Sequence, residues 1–203
     1  MPLEHYIKLE LGAGDWPSWG GFVHNDIVPA PHIEIVADCR QLPMVGSASV
    51  TFLRAIHLLE HFKPSDAQAA LAEWVRVLCP GGVLELAMPN IPGLALLLVL
   101  GTISPQAFLR DLYGDTPPPD PLPVDLSEAA KALATGVRSF KGKEGWNYLL
   151  SLLYKPVWDR EGVMVHRWAY CQETLHEAMI AAGLCGIEIQ RDGTSFRAWG
   201  QKR

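Results

Sequence analysis

Glycines and acidic residues follow three short apolar runs near the start of the chain. The run Tyr6–Leu11 is followed by Gly12-Ala13-Gly14, and the next two runs end at Asp26 and at Asp38. A glycine turn after a strand lets backbone N–H groups approach a ligand closely. One carboxylate can accept hydrogen bonds from the hydroxyls of a ribose, and a second can accept them from an exocyclic amine. The order of these segments therefore predicts a pocket for a cofactor that contains adenosine.

The elements that must position this pocket are short strands that alternate with a helix over the first ninety residues. Strands are predicted over Ile7–Leu11, Phe22–Ile27, Ile33–Ala37, Val50–Ala55 and Val83–Met88. Ser65-Asp66-Ala67-Gln68 has the pattern of a capping box and predicts the start of a helix, which Cys79-Pro80-Gly81-Gly82 ends. Repeated strand–helix alternation predicts a parallel sheet with right-handed crossovers. The Gly12–Gly21 link is short and leaves room for only a turn or two of helix.

The character of the chain changes after residue 90. Helices are predicted over Pro92–Leu100, Pro105–Tyr113, Asp125–Thr135 and Glu173–Ala182. Residues 117–123 contain five prolines and are expected to form an extended connector, and Asp192-Gly193 predicts the turn of a closing hairpin. We therefore predict an α/β fold: a Rossmann-like, doubly wound, mostly parallel sheet with a C-terminal antiparallel hairpin and a helical lid insertion. Within one domain over residues 1–203, residues 6–90 would form the cofactor-binding core, residues 91–170 the lid, and residues 171–203 the closing helix and strands.

Composition limits the class of protein. With 203 residues, nearly half of them apolar, the chain can bury a substantial core. Its formal net charge of −5 argues against a broad nucleic-acid footprint but leaves room for a local basic patch. The four cysteines form no CxxC pair, which is typical of free thiols in a reducing compartment. We expect a cytoplasmic protein, because no signal peptide is visible and the apolar run 94–100 is far too short to span a bilayer.

A nicotinamide dinucleotide site is one alternative for the glycine turn, and the residues after it weaken that hypothesis. Such sites expect G-x-G-x-x-G, in which the third glycine packs a full helix on the strand. Here Gly14 is followed by Asp15, Trp16 and Pro17, so the third glycine is missing.

Five segments together resemble a known family, the class I S-adenosylmethionine-dependent methyltransferases, of the small methyltransferase type 11-like kind. The segments are Leu9-Glu10-Leu11-Gly12-Ala13-Gly14, Asn25-Asp26-Ile27, Ala37-Asp38-Cys39-Arg40-Gln41-Leu42-Pro43, His57-Leu58-Leu59-Glu60-His61-Phe62 and Trp74-Val75-Arg76-Val77-Leu78-Cys79-Pro80-Gly81-Gly82. The resemblance covers roughly residues 6–90, with a weaker similarity over 167–183. It implies S-adenosylmethionine as the cofactor and methyl transfer by in-line displacement as the reaction.

The resemblance also implies roles for individual residues. The cofactor-binding set that it implies consists of Glu10, Gly12, Ala13, Gly14, Asp26, Ile27, Asp38, Cys39, Ala55, Ile56 and His57. In this family the glycine turn would line the methionine part, Asp26 would hold the ribose hydroxyls, and Asp38 with the Cys39 backbone would face the adenine. Residues 55–57 would lie near the sulfonium.

Two histidines are candidate catalytic residues. His166 lies where the lid of the family rejoins the core and is the best-placed candidate base, and His57 follows the fourth strand. A base is needed only if the acceptor is an alcohol, phenol or acid that must lose a proton. His57-Leu-Leu-Glu60-His61 also fits the HxxEH pattern of zinc peptidases, but such a site needs a long helix and a third ligand. We therefore expect no metal.

The methyl acceptor is the least constrained part of the prediction. Residues 131–167 hold seven Lys or Arg against three acidic residues, with Trp146, Tyr148, Tyr154 and Trp158 between them. The basic and aromatic residues together could form a lid that binds an anionic or planar substrate. Alternatively, the basic residues form a solvated helix face and the aromatic residues pack on the core. We expect a small-molecule acceptor of anionic or aromatic kind, a modified polymer being the alternative. A fold that binds the cofactor without turnover, as an assembly subunit, is the competing hypothesis for function.

Overall fold

The computed structural model describes residues 7–15, 20–114, 116–139, 142–161 and 164–203. Its strands are β1 (Ile7–Leu11), β2 (Phe22–Asp26), β3 (Ile35–Val36), β4 (Val50–Ile56), β5 (Leu78–Pro89), β6 (Leu184–Asp192) and β7 (Ser195–Lys202). Its α-helices are α1 (Pro64–Val77), α2 (Ile91–Val99), α3 (Pro105–Tyr113), α4 (Leu126–Ser139), α5 (Gly142–Tyr154) and α6 (Gln172–Ala181). Leu59–His61 and Lys155–Val157 form single 3-10 turns.

All seven strands belong to one sheet in the order β3-β2-β1-β4-β5-β7-β6. The pairs among β1 to β5 are parallel, and β7 pairs antiparallel with both β5 and β6. The predicted Rossmann-like fold with a closing antiparallel hairpin is confirmed. Because β1, β2 and β4 run parallel, their carboxyl ends meet at one edge of the sheet, where α/β folds place their ligands.

The strand after α1 begins earlier than predicted. Leu78 already pairs with Val50, and the next pairs join Phe52 to Val83, so the four residues between them bulge out of the ladder. Gly82 lies at the inner end of this bulge, where a Cβ would come within 2.9 Å of the carbonyl oxygens of Val50 and Cys79. The motif Cys79-Pro80-Gly81-Gly82 therefore ends the helix and is also part of β5.

The start of α1 also differs from the prediction. The N-cap is Lys63, without a side-chain cap, and Ser65 lies inside the helix. Pro64 occupies the first helical position, where its fixed φ angle favours the helix and its missing N–H costs nothing. The prediction of a capping box at Ser65 is therefore wrong, and Pro64 sets the start of the helix.

One hydrophobic core fills the space between the sheet and the helices α1 and α6. The α1 side chains in it recur at helical spacing: Ala67, Ala70, Leu71, Trp74 and Val77. Leu175 and Met179 of α6 belong to the same core, which joins the two helices to the buried side chains of β1, β4 and β5. This packing fixes the strands whose ends form the ligand-binding edge.

Residues 91–170, the helical insertion between β5 and α6, have a second core of their own. Phe108, Trp146, Leu150 and Tyr154 are fully buried there. Helix α5 was not predicted, although its buried residues at 146, 149, 150, 153 and 154 have helical spacing. Trp146 and Tyr154 therefore pack in the core, as one of the two interpretations of these aromatic residues required, whereas Tyr148 is 65% exposed. Within the described ranges, no helix is both long and apolar enough to cross a membrane.

Because the sheet and the helical insertion have separate hydrophobic cores, we expect the insertion to unfold locally while the sheet stays folded. We expect Leu150→Ala to lower the free energy of opening of α4 and α5 by about 2–5 kcal/mol, the range found for buried Leu→Ala changes. Amide hydrogen exchange measures this opening residue by residue. The matched control Tyr148→Ala, at an exposed position of the same helix, should change it by less than about 0.5 kcal/mol. Equal loss of protection in the β-strands would show instead that both cores unfold as one unit.

Candidate functional site

A cavity of about 970 Å³ opens at the carboxyl ends of β1, β2 and β4. Ten of the eleven residues predicted to bind the cofactor line it: Glu10, Gly12, Ala13, Gly14, Asp26, Ile27, Asp38, Cys39, Ile56 and His57. Ala55, the eleventh, is buried in the sheet core instead, because its side chain points to the face that α1 covers. The parallel sheet thus brings together side chains from four separate parts of the chain.

The glycine turn after β1 forms one wall of this cavity. Gly12 and Gly14 have φ angles of +62° and +53°, in the left-handed region that glycine adopts without strain. A Cβ on Gly12 would lie 2.9 Å from Leu58 Cδ1, whereas a Cβ on Gly14 would meet no atom within 4 Å. The Ala13 N–H donates to the Asn25 carbonyl (3.1 Å), which holds the turn against the end of β2.

Asp26 is fixed at the rim by two backbone donors. Its Oδ2 accepts from the Gly14 N–H and its Oδ1 from the Val28 N–H, each at 2.9 Å. Each carboxylate oxygen has a second lone pair, so both retain acceptor capacity towards a ligand. The carboxylate is therefore held in place next to the glycine turn before any ligand arrives.

Asp38 is paired with a cation that also lines the cavity. The Arg40 guanidinium donates from Nε to both Asp38 oxygens at 3.0 Å, and its Nη1 lies 3.2 Å from Asp66. The hydrogen bonds from Arg40 hold the pKa of the Asp38 carboxyl below its usual range. Burial raises the pKa of the neighbouring Cys39 thiol to about 12, so the thiol is neutral. The backbone carbonyl of Cys39 accepts a hydrogen bond from Trp74 Nε1 (2.9 Å).

His57 adopts an uncommon backbone conformation at the end of β4. Its φ angle is +51°, and its N–H donates to the Ala87 carbonyl at 2.8 Å, which holds the chain in this conformation. Its Nδ1 lies 3.1 Å from Oε1 of Glu60, which is buried. This hydrogen bond to the Glu60 carboxylate raises the pKa of His57, because it stabilises the imidazolium form more than burial disfavours it.

His166, the other candidate catalytic residue, is not part of the cavity lining. Its Nδ1 lies 3.0 Å from the Asp111 carbonyl, and its ring packs edge-on against His61 with 4.9 Å between the centroids. Burial lowers the pKa of His166, so its neutral form is favoured. His61, which contacts His166, does line the cavity.

Two arginines of the site were not predicted to have a role. Arg40 follows Asp38 by two residues, and this spacing was the available indication of the ion pair. Arg167 lines the cavity and donates to four backbone carbonyls, those of His61, Trp158, Arg160 and Val165. No sequence pattern indicates the contact with His61, which joins residues 106 positions apart, whereas the other three carbonyls lie within nine residues of Arg167.

Comparison with known proteins agrees with this geometry. A family model described as a methyltransferase domain matches residues 23–86, and no curated protein matches the sequence. The matched segment contains Asp26, Asp38 and His57. The predicted resemblance to class I methyltransferases is confirmed by this model and by the fold.

Several solved structures share the fold at low sequence identity. A 1,6-didemethyltoxoflavin-N1-methyltransferase from Burkholderia thailandensis, solved with 1,6-didemethyltoxoflavin and S-adenosylhomocysteine, is 12% identical over 98% of this chain and 72% of its own (TM-score 0.54). A protein from Pyrococcus horikoshii OT3 is 15% identical over 98% and 82% (TM-score 0.54). The CurJ carbon methyltransferase is 13% identical over 99% and 50% (TM-score 0.52). This chain therefore spans between a half and about four fifths of the length of these proteins.

The contact between His57 and Glu60 predicts a measurable pKa difference. We expect the pKa of His57 to lie above its ordinary value in the native protein and to fall in Glu60→Gln, because the amide cannot stabilise the imidazolium by charge. A pH titration of the histidine ring resonances by NMR, in buffer with a chelator, measures both values. The ring resonances of the exposed His176 are an internal reference and should be the same in both proteins. An unchanged His57 pKa in Glu60→Gln would show that the carboxylate does not control this histidine.

Proposed function

We propose that this protein is an S-adenosylmethionine-dependent methyltransferase that acts on a small-molecule acceptor. The observation that carries this proposal is the Asp26 carboxylate, which the Gly14 N–H fixes beside the glycine turn at the edge of a large cavity. A ligand with a ribose diol next to a charged, flexible chain suits this pair of groups.

The cavity offers a distinct set of groups for each part of the cofactor. The backbone of Gly12 to Gly14 would line the methionine part, and Asp26 would accept from the ribose hydroxyls. Asp38 would accept from the adenine amine, and the bound Arg40 keeps this carboxylate ionised and oriented. Ile27 and Ile56 supply apolar contacts around these polar groups.

Methyl transfer mainly requires that the protein align the acceptor with the methyl group of the cofactor. When bound, the cofactor supplies a methyl group on a positively charged sulfur, which leaves as a neutral thioether. The acceptor would have to present a lone pair in line with the carbon–sulfur bond of the cofactor. The chain must hold the acceptor in line with that bond and exclude water. His57, at the end of β4, is the proposed contact near the sulfur, and the raised pKa of its ring makes it a weaker acid than an ordinary histidine.

The acceptor would bind beneath the helical insertion, which we propose acts as a lid. Met164 and Arg167, from the end of the insertion, line the same cavity as the glycine turn. The cavity volume is at the upper end of the roughly 300–1,000 Å³ typical of small-molecule sites, which leaves space for an acceptor next to the cofactor. The Arg167 guanidinium at this wall supports an anionic or aromatic acceptor.

Removing the Asp26 carboxylate tests the proposed cofactor site. We expect Asp26→Ala to weaken binding of S-adenosylmethionine and S-adenosylhomocysteine by roughly 10- to 150-fold, because hydrogen bonds to a charged group contribute about 1.5–3 kcal/mol. Isothermal titration calorimetry measures both affinities. Asp26→Asn keeps the size of the side chain and one acceptor oxygen, and should lose less. Asp192→Ala, at an exposed aspartate of β6, is the matched control and should bind as the native protein does.

Turnover needs a separate experiment. Incubating the protein with a methyl-labelled cofactor and an extract of its own source should label one acceptor, and Asp26→Ala should greatly reduce the label. Absence of binding to both cofactor forms would contradict the proposed function. Binding that depends on Asp26 but labels nothing would favour a fold that binds the cofactor without turnover.

A further inference from the structure

Glu60, His61 and His166 form a cluster of potential metal ligands next to the proposed cofactor site. One carboxylate oxygen and one ring nitrogen from each histidine all lie within 4.8 Å of one another. Glu60 and His61 come from the turn after β4, whereas His166 lies near the end of the helical insertion. None of the three belongs to the set that the family resemblance assigned to the cofactor.

Glu60 has an oxygen without a partner in the protein interior. Its side chain is 3% exposed, and only Oε1 is engaged, by His57. Oε2 is buried and accepts no hydrogen bond from any residue that the structure describes. A buried carboxylate oxygen without a partner costs free energy, so native proteins satisfy such groups with a donor, a water or an ion.

Both histidines are oriented as metal ligands are. Nδ1 of His61 lies 3.1 Å from the Val165 carbonyl, and Nδ1 of His166 lies 3.0 Å from the Asp111 carbonyl. Since a carbonyl only accepts, each Nδ1 carries the proton and donates it. In the neutral form of each ring, Nε2 therefore keeps its lone pair for another partner. Metal-binding histidines characteristically donate their other ring N–H to a carbonyl or carboxylate in this way.

A small cavity adjoins the cluster. It has a volume of about 10 Å³ and is lined by Glu60 and His166 together with Tyr154 and Trp168. This is about the volume that one water-sized species needs. Three ligand atoms around one zinc ion would lie about 3.3 Å apart, so small side-chain rotations would bring the cluster to bonding distance.

We propose that Glu60, His61 and His166 bind one divalent transition-metal cation at the junction of the sheet and the helical insertion. Two imidazoles and one carboxylate suit zinc or manganese, whereas calcium and magnesium prefer oxygen ligands alone. His57, through its hydrogen bond to Glu60, orients the carboxylate. A site with three protein ligands leaves a coordination position for an oxygen of the acceptor, a role that rests on the proposed methyl transfer. The binding of the cation does not rest on it.

This site differs from the zinc-peptidase pattern considered for His57-Leu-Leu-Glu60-His61. That pattern needs His57 and His61 on one face of a long helix, but residues 59–61 form only a single 3-10 turn. The side chain of His57 is half exposed and lines the large cavity. The ligand that replaces it, His166, lies far along the chain, which is why the sequence predicted no metal.

Metal titration of the full chain tests the proposal. After dialysis against a chelator, calorimetry with ZnCl₂ and with MnCl₂ should show one saturable site for at least one of the two ions. Glu60→Gln and His166→Ala should each weaken binding of the ion by more than about tenfold. Loss of a residue that only hydrogen-bonds to a metal ligand already lowers affinity by about this factor, and these two residues are the proposed ligands themselves. The exposed His176→Ala in α6 is the matched control and should bind as the native protein does.

A second measurement needs no variant. In the native protein, zinc should shift the NMR resonances of the His61 and His166 rings and leave those of His24, His32 and His176 in place. Absence of saturable binding of either ion, native-like binding by His166→Ala, or shifts confined to the other histidines would overturn the proposal. Cofactor affinity measured on the same samples separates the two proposals: cofactor binding without metal binding overturns only this site, and metal binding without cofactor binding overturns only the proposed function.

Discussion

The backbone carbonyl of Glu60 joins the sheet to the helical insertion, and both walls of the cavity depend on this contact. It accepts from the Arg167 N–H (2.8 Å) and the Trp168 N–H (3.2 Å). The Arg167 side chain returns the contact by donating to the His61 carbonyl at 3.1 Å. Glu60 itself follows β4, the strand between β1 and β5. The carbonyl of Glu60 thus holds the end of the insertion against the turn after β4. Because buried backbone N–H and C=O groups must be paired, few other positions of the insertion would satisfy them.

A second constraint keeps the two carboxylates of the proposed cofactor site in register. The buried Asn25 side chain donates to the carbonyls of Ile35 and Ala37, each at 2.9 Å. These bonds tie the end of β2 to β3, which is only two residues long and offers little pairing of its own. Asp26 is the last residue of β2, and Asp38 lies two residues beyond the end of β3. The spacing of the two carboxylates across the rim therefore depends on the side-chain amide of Asn25.

Local patterns in the sequence were sufficient to predict the sheet, and together with the family resemblance they indicated ten of the residues that line the cavity. A strand that ends in a glycine or a carboxylate can be recognised alone, and parallel pairing then brings these ends together. Helix α5 was missed although its apolar spacing was visible, because Gly142 and Gly145 in its first turn weaken the helix pattern. The contact of His166 with His61 has no local pattern at all. It arises from the insertion folding back on the turn after β4, so only the structure could reveal it.

The low sequence identity to proteins of the same fold is explained by the kind of atoms that shape the cavity, several of which belong to the backbone. The glycine turn acts through its N–H groups and positive φ angles, and the junction with the insertion acts through the Glu60 carbonyl. Backbone groups such as these tolerate most side-chain changes, so identities of 12–15% are compatible with one arrangement. Few side chains would be constrained by the proposed chemistry, among them Asp26, Asp38 and Glu60. The insertion has its own hydrophobic core, so its cavity-facing side chains can change without disturbing the sheet, and selection for a new acceptor would act there first.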